Sequence, residues 1–295
     1  MKVHPFIEAE KIAGKGAERA CRLLEVSRSA FYARRNSAPS PRAASDATVT
    51  GEIRQIHAMS GGTYGSPRVH SALRDNGREI GRRRVTRLMR QAGIEGRHKR
   101  RWRTTTVVDP AAERARDLIQ RDFSTGTVTD RRYVGDITYI ATWEGFAYLA
   151  TVIDLASRRV VGWAIANHMR TSLVEDALRM AFVQRRPLRG LIFHTDRGSQ
   201  YTSGDFARLA RDNGVQLSVG RTGVCWDNAV AESFFATIKR ELIETRPWPT
   251  RAGLERAVFD YIEGWYNTRR KHSSLGYKSP AAYEAINRNA DRQAA

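Results

Sequence analysis

The sequence predicts an α/β fold, a mixed β-sheet flanked by helices, with an all-α region in front of it. Three closely spaced β-rich runs lie between residues 130 and 166, and helical and strand-like segments then alternate. Upstream of residue 130, apolar residues recur mainly at helical spacing. This change of pattern within 295 residues predicts more than one domain, one of them with a substantial core.

The all-α region divides into two parts. Residues 1–48 are predicted to be a helical segment and a linker, because Asn36 to Thr48 is rich in Ala, Ser and Pro. Residues 49–108 are predicted to contain two short helices, with Pro67 at the start of the first and Asn76-Gly77 in the turn. An arginine-rich second helix suits a helix-turn-helix on DNA, or equally an ordinary hairpin with a solvated basic face. The neighbouring tract RHKRRWR favours DNA.

Residues 125–290 are predicted to form the mixed sheet. The runs Tyr133–Ala141, Phe146–Asp154 and Val160–Ala166 are joined by turn residues, which indicates an antiparallel meander. The segments that follow are helix 172–185, strand 191–195, helix 203–213, strand 215–219 and helices 229–243 and 251–266. This order matches the ribonuclease-H-like fold.

The chain is strongly basic. Lys and Arg total 50 against 31 Asp and Glu, and an excess of this kind suits a polyanionic partner. Charge that only keeps the protein soluble is the alternative, but ten Lys or Arg residues and one acid between Arg82 and Arg103 argue against it. Two cysteines exclude a disulfide framework, and the lack of an apolar span or signal-peptide core predicts an intracellular protein without membrane contact.

Three acidic residues stand where a carboxylate would be presented to a metal. Asp136 lies in a β-rich run, and Asp196 ends an apolar run at the switch to a Gly/Ser loop. Glu232 lies one turn into a predicted helix that Asp227 or Asn228 can cap. Such a trio suits two Mg²⁺ ions and in-line attack on a phosphodiester, because hard cations prefer oxygen ligands. Taken singly, a strand edge and a solvated helix face explain Asp136 and Glu232 as well.

Four motifs carry a resemblance to a known family. VGDITYI, HTDRGSQYTS, CWDNAVAESFFATIKREL and YNTRRKHSSLGYKSPAAYE follow one another within residues 130–285. In order and spacing they closely resemble the DDE transposases of bacterial insertion sequences, in particular the insertion-sequence-three family, which shares its core with retroviral integrases. Residues 50–105 resemble that family's helix-turn-helix insert more loosely. One departure is Tyr133, where members usually carry Trp.

The resemblance implies cleavage of DNA at element ends and transfer of the freed 3′-hydroxyl to target DNA by two-metal phosphoryl transfer. The three carboxylates would then be ligands of two Mg²⁺ or Mn²⁺ ions. Lys239, two helical turns after Glu232, would hold a terminal phosphate; a surface lysine paired with Glu241 or Glu244 is the alternative. His194 is interpreted either as a group that orients a ligand or contacts DNA, or as a structural histidine.

Basic residues in the second short helix, the tract after it, the loop 218–226, the helix of Glu232 and the last motif are predicted to contact DNA. They are Arg82, Arg83, Arg84, Arg87, Arg90, Lys99, Arg100, Arg101, Arg221, Lys239, Arg269, Arg270 and Lys271. The resemblance also implies double-stranded DNA, both element ends and target, as partner, and a homo-oligomer assembled on it. It further implies an upstream reading-frame product, as frameshift fusion or partner, and a cytoplasmic, nucleoid-associated bacterial protein.

Two other functions fit parts of the sequence. A ribonuclease H or junction resolvase on the same fold typically uses a fourth carboxylate and lacks the HTDRGSQ and YNTRRKH motifs. A non-catalytic DNA-binding regulator derived from a transposon does not require three metal ligands, which this sequence retains. Cleavage by the purified protein would exclude the regulator.

Overall fold

The computed structural model describes residues 3–36, 40–97, 118–119, 122–196, 198–219 and 229–294, with backbone alone at 34–36 and 289–294. Three short helices form an N-terminal unit: α1 (Val3–Ile12), α2 (Ala17–Leu23) and α3 (Arg28–Asn36). Ile7, Cys21 and Phe31 are buried in a small core of this unit. The predicted helical character of the first 35 residues is confirmed for the described part.

The predicted linker from Asn36 to Thr48 is wrong over most of its length, because helix α4 (Pro41–Met59) begins inside it. Ser40 caps this helix, since its hydroxyl oxygen accepts a hydrogen bond from the Ala43 N–H at 3.2 Å. Pro41 occupies the first turn, where a missing N–H costs nothing. The Ala, Ser and Pro residues that suggested a linker therefore start a helix.

Helix α4 packs against the two predicted helices, which are confirmed. They are α5 (Ser66–Asp75) and α6 (Arg82–Gln91). Ile53, Leu73 and Val85, one from each helix, are buried in a common core. Gly77 makes the turn between α5 and α6 with φ 79°, a conformation that favours glycine.

The five strands form one mixed sheet in the order β3-β2-β1-β4-β5. They are β1 (Arg132–Thr142), β2 (Gly145–Asp154), β3 (Val160–Ala166), β4 (Ile192–Thr195) and β5 (Gln216–Val219). Strand β2 pairs antiparallel with β1 and β3, whereas β4 pairs parallel with β1 and β5. This topology confirms the predicted ribonuclease-H-like fold.

Helices cover both faces of the sheet. They are α7 (Thr171–Arg185), α8 (Gly204–Asp212), α9 (Ala229–Glu241), α10 (Arg251–Phe259), which continues as a π-helix through Tyr266, and α11 (Pro280–Ala294). Tyr133 and Val134, neighbours on β1, lie in different cores, the first with α7 and α8 and the second with α9 and α10. No helix in the described part of the chain is long and apolar enough to cross a membrane.

A buried ionic network joins α11 to the sheet. Glu284, 1% exposed, accepts hydrogen bonds from Arg185 on α7 at 2.9 and 3.0 Å and from the Ser157 hydroxyl at 2.8 Å. Arg185 also donates to both oxygens of Asp130, which accepts the Tyr133 hydroxyl at 2.5 Å. Tyr133, the residue at which the sequence departs from the family it resembles, therefore adds a hydrogen bond to this network.

Gly162 on β3 is expected to tolerate no side chain. A Cβ there would lie 2.1 Å from the Ala177 carbonyl oxygen and 2.8 Å from the Ala181 nitrogen of α7, so helix and strand would have to separate. We expect Gly162→Ala to lower the free energy of unfolding by about 2 kcal/mol, measured by urea denaturation. The control is Gly51→Ala in α4, where nothing lies within 4 Å of the added carbon. Equal stability of Gly162→Ala and wild type would contradict the described packing.

Candidate active site

The parallel pairing of β1 with β4 brings two of the predicted carboxylates side by side. Val134 pairs with His194, and Asp136 and Asp196 each lie two residues further along. Neighbouring strands are about 4.8 Å apart, and residues two apart along a strand point to the same face. The two aspartates are therefore expected next to each other, with Asp136 in the middle of β1 and Asp196 directly after the carboxyl end of β4.

Helix α9 brings two further predicted residues, Glu232 and Lys239, close to Asp136. Asp136 is an even number of residues from Val134 and Ile140 on β1, so its side chain lies on the same face of the sheet as theirs. Val134 and Ile140 belong to the core that packs against α9. Glu232 and Lys239 lie on α9, close enough for their charges to act on the Asp136 carboxyl. The Lys239 ammonium also lies 5.7 Å from the centre of the Tyr139 ring, a cation–π contact.

The electrostatics of this cluster centre on Asp136. Burial, followed by the negative charge of Asp196, raises the pKa of Asp136 to about 7. The charge of Glu232 adds to the rise, whereas Lys239 and the Ile137 N–H, which donates to Asp136 Oδ1 at 2.8 Å, oppose it. Partial burial also raises the pKa of Glu232. A bound cation would offset this concentration of negative charge.

The donor set suits a hard divalent cation, because all three carboxylates supply oxygen. Within the described residues, however, no three His, Cys, Asp or Glu side chains converge closely enough to hold one ion. Asp196 is held by its own turn, since Oδ1 accepts the Gly198 N–H at 3.0 Å.

Comparison with known proteins decides the family. Models of an HTH-like domain and of an integrase core domain match residues 44–102, 128–225 and, for a second integrase core model, 213–280. A relative from Mycobacterium tuberculosis, assigned to insertion sequence element IS986/IS6110, is 38% identical over 89% of this chain and 96% of its own length. Transposase InsF for insertion sequence IS3A of Escherichia coli is 35% identical over 90% and 93%. The chain belongs to the insertion-sequence-three family.

The resemblance predicted from the motifs is thus confirmed, and the protein is a DDE transposase/integrase, a polynucleotidyl transferase. Among solved structures it is similar to the simian T-cell lymphotropic virus intasome in complex with PP2A regulatory subunit B56 gamma. The identity is 13% and the TM-score 0.46, over 79% of this chain and 74% of the other. The fold assignment rests on the strand order of the transposase itself.

Two residues of the HTDRGSQYTS motif, His194 and Tyr201, are buried. His194 is 1% exposed, its Nδ1 lies 2.8 Å from the Ser218 hydroxyl on β5, and its ring meets Phe123 edge-on. These contacts favour the structural interpretation of His194. Tyr201 was missed from the sequence, although it stands in the motif. It is buried against Phe193, and burial and the charges of both aspartates raise its pKa well above the ordinary value.

Some arginines of α6 form ion pairs within the protein, and the others are exposed to solvent. Arg84 and Arg87 each donate to Asp46 on α4 at 2.8 Å, and these hydrogen bonds lower the pKa of Asp46. The other predicted DNA contacts on this helix are exposed: Arg82, Arg83 and Arg90. Arg84 and Arg87 thus stabilise the packing of α4 on α6, and a role of any of these residues on DNA stays a prediction.

Two predicted DNA contacts of the last motif lie inside the protein. Arg270 is 3% exposed and donates to both oxygens of Glu241 at 2.9 and 2.8 Å, so the prediction that it contacts DNA is wrong. Because both oxygens of Glu241 accept from Arg270, Glu241 is also an unsuitable partner for Lys239, a pairing that the sequence alone allowed. Lys271, with a side chain 13% exposed, pairs with Asp75 on α5, so it too is unsuited to DNA. Arg269 is exposed.

Several predicted residues lie outside the described part of the chain. They are Lys99, Arg100, Arg101 and Arg221, together with the helix-capping candidates Asp227 and Asn228. The greater part of the loop predicted at 218–226 is also outside it. Their roles stay predictions.

The helix-turn-helix-like unit, which comprises α4 to α6 and the segment up to residue 97, docks directly on the catalytic domain, which comprises the sheet and helices α7 to α11. The Tyr64 hydroxyl accepts the Lys271 backbone N–H at 2.9 Å, and the Tyr64 ring lies 5.7 Å from the ring of Trp265. Arg97 donates to the Arg240 carbonyl oxygen at 2.7 Å. Trp265 packs against the cores of both domains, which explains this aromatic of the last motif.

His272 is expected to make the transposase less stable in acid. Burial, together with the charges of Arg270, Arg68 and Arg158, lowers the pKa of His272 to about 2. Below its ordinary pKa of about 6.5 the unfolded chain binds a proton that the fold does not, so stability falls as pH falls. This effect amounts to about 2 kcal/mol between pH 7.5 and pH 5. Urea denaturation of wild type and His272→Gln at both pH values measures it as the change in their difference.

The comparison with His272→Gln cancels the other titrating groups. Burial raises the pKa of Asp154 to about 6, which acts in the opposite sense because a carboxyl with a raised pKa gains stability as pH falls. A stability difference between the two proteins that stayed constant from pH 7.5 to pH 5 would contradict the buried, neutral state of His272.

Proposed function

We propose that this transposase binds the ends of its insertion sequence and catalyses metal-dependent DNA cleavage and strand transfer. The observation that carries the proposal is that the charges of Asp196, Glu232 and Lys239 all act on the carboxyl of Asp136, where β1 lies beside the end of β4. The raised pKa of Asp136 supports a cation-binding role, because such shifts are common at functional sites.

The three carboxylates would hold two Mg²⁺ or Mn²⁺ ions, which supply Lewis-acid stabilisation of charge on the attacking and leaving oxygens. The protein's own contribution is orientation. The Gly198 N–H orients the carboxylate of Asp196, and the Ile137 N–H orients that of Asp136. Lys239 would hold a DNA phosphate beside them, since its charge already reaches Asp136.

The reaction consists of two phosphoryl transfers. Water attacks a phosphodiester at the element end, so one P–O bond forms and the bond to the 3′-oxygen breaks. The freed 3′-hydroxyl then attacks a phosphodiester of the target DNA in the same manner, and the target's own 3′-oxygen leaves. One bond forms for each bond broken, so neither a nucleotide cofactor nor a covalent enzyme intermediate is required.

Double-stranded DNA, as element end and as target, is the proposed partner. The net charge of +19 and the exposed arginines of α6 support it. We further propose that the transposase acts as a homo-oligomer on DNA, with the product of an upstream reading frame as fusion or partner, and that it works at the bacterial nucleoid.

A strand-transfer assay tests the function. Purified protein is mixed with a labelled duplex that carries the element end, with Mg²⁺, Mn²⁺ or EDTA. Asp196→Asn is tested beside it, with Asp176→Asn at an exposed position of α7 as the control. We expect nicking and joining that require metal, persist in Asp176→Asn and are lost in Asp196→Asn. Cleavage that survives in Asp196→Asn would overturn the proposed site.

The same assay separates the rival functions. Cleavage of an RNA–DNA hybrid or a four-way junction, with element ends left intact, would favour a ribonuclease H or a resolvase. Binding of ends without cleavage under any metal would favour a regulator. If adding the upstream-frame product then restores cleavage, the chain is instead a catalytic subunit that needs its partner.

A further inference from the structure

A cleft of about 470 Å³ lies between the helix-turn-helix-like unit and the catalytic domain. Helix α5 and the start of α6 form one wall, and the turn at residues 276–278 forms the other. The lining includes His70, Arg74, Asp75, Arg82, Tyr277 and Lys278. Both domains therefore contribute to this cleft, and it is separate from the carboxylate cluster.

The cleft is cationic. Arg74, Arg82 and Lys278 bring three positive charges into its lining. Asp75 is the acid among the lining residues, and its charge is offset by the ion pair with Lys271. A mainly polar and charged lining is unlike the apolar pockets that take drug-like molecules, and suits a polyanion.

The two walls are held at a fixed spacing. Lys271 comes from the catalytic domain and bridges them, since its ammonium pairs with Asp75 on α5 and donates to the Tyr277 carbonyl oxygen at 3.4 Å. The turn itself is tied by the His272 N–H, which donates to the Lys278 carbonyl oxygen at 3.0 Å. On the opposite wall, the His70 Nε2–H donates to the Ile80 carbonyl oxygen at 2.9 Å. The cationic groups are thus attached to a preformed frame.

We propose that this cleft binds the DNA sugar–phosphate backbone, so that one duplex contacts α6 and the catalytic domain at once. The inference rests on the proposed function, which supplies DNA as the partner. Arg82 begins α6, the predicted recognition helix, and Lys278 lies in the last motif of the catalytic domain. A phosphate between them would couple recognition of the end to its placement at the carboxylates.

The proposal assigns the phosphate contacts to Lys278 of the last motif and to Arg74 of α5. Of the three residues of this motif that the sequence predicted to contact DNA, Arg269 is exposed, whereas Arg270 and Lys271 are turned inward. Lys271 serves as the bridge beneath the cleft. Lys278 and Arg74 take their place in contact with phosphate. Neither stood out in the sequence, because each is a single basic residue outside the basic runs.

Equilibrium binding tests the cleft. Affinity for a fluorescently labelled duplex of the element end is measured by anisotropy over a series of salt concentrations. The test protein is Arg74→Gln/Lys278→Gln. The matched control is Arg208→Gln/Arg256→Gln, which loses the same charge from exposed positions on α8 and α10. Thermal denaturation verifies that each protein is folded.

We expect the cleft variant to bind about ten-fold more weakly and its salt slope to fall by about two, since each phosphate contact contributes about 0.9. The control should stay within about two-fold of wild type, because exposed charges at a distance are screened. Arg74→Lys/Lys278→Arg, which keeps both charges, should restore binding.

Equal affinities and slopes for the cleft variant and the control would overturn the inference, whether both equal wild type or both are weakened. The test measures binding and not cleavage, so a failure of the proposed chemistry leaves it intact. If wild type itself bound no DNA, the cleft assignment would be wrong, and the strand-transfer assay with the upstream-frame product would test the proposed function separately.

Discussion

Replacing Asp136 with Asn is expected to reduce metal-dependent strand transfer by about a thousand-fold or more. Asp136 is the carboxylate on which the charges of Asp196, Glu232 and Lys239 converge. An amide in its place keeps the shape but loses the negative charge that a divalent cation requires. The measurement is the rate of joining of a labelled element end at saturating Mg²⁺ or Mn²⁺, with Asp176→Asn on the exposed face of α7 as the control.

The stability of the same variant separates loss of chemistry from loss of fold. Without divalent cation, Asp136→Asn is expected to be at least as stable as wild type, because it removes a buried carboxylate beside two others. Adding Mg²⁺ or Mn²⁺ should raise the melting temperature of wild type and not that of the variant. Strand transfer at the wild-type rate, or an equal metal-induced rise in both proteins, would count against Asp136 as a ligand.

Truncating Arg270 to Ala is expected to lower the free energy of unfolding by about 3–5 kcal/mol, because it leaves Glu241 charged and buried without its partner. Arg270 and Glu241 have side chains only 4% and 3% exposed and form two hydrogen bonds. The Tyr261 hydroxyl, which donates to Glu241 at 2.9 Å, cannot replace the lost charge. Urea denaturation at pH 7.5 measures the effect.

Arg269→Ala is the matched control, since this neighbour is exposed and the expected change is within about 0.5 kcal/mol. The double variant Arg270→Met/Glu241→Met should be more stable than Arg270→Ala, because it buries no unpaired charge. An Arg270→Ala protein that kept its stability but lost affinity for DNA would restore the original prediction for this residue.

Most elements of the catalytic domain could be predicted from the sequence because their signals are local. Alternating and continuous apolar runs predicted β1 to β5, and β1, predicted at 133–141, is observed at Arg132–Thr142. The proximity of Asp136 and Asp196 follows from the same local pattern once β1 and β4 pair in parallel. The linker prediction failed because Pro41 and Ser40 are equally good signals for a helix start.

Charge networks between distant segments could not be predicted. Glu284 on α11 accepts hydrogen bonds from Arg185 on α7, 99 residues away in the sequence. A pairing over such a distance produces no periodic pattern in the sequence from which it could be predicted. The same holds for Tyr64, whose hydroxyl meets the backbone of Lys271 across 207 residues and joins two domains. Which polar residue is buried depends on such partners, and local patterns do not contain them.

By itself the sequence determined the order of strands and helices, the family and the three candidate carboxylates, because periodicity and motif spacing are carried by neighbouring residues. Only the tertiary structure decided which basic residues are available to DNA. Arg270 forms a buried ion pair with Glu241, 29 residues away, and Lys271 pairs with Asp75, 196 residues away. Lys278 and Arg74 meet in one cleft only because the two domains dock. A basic residue is available to DNA only where the fold leaves it exposed and without a partner of its own.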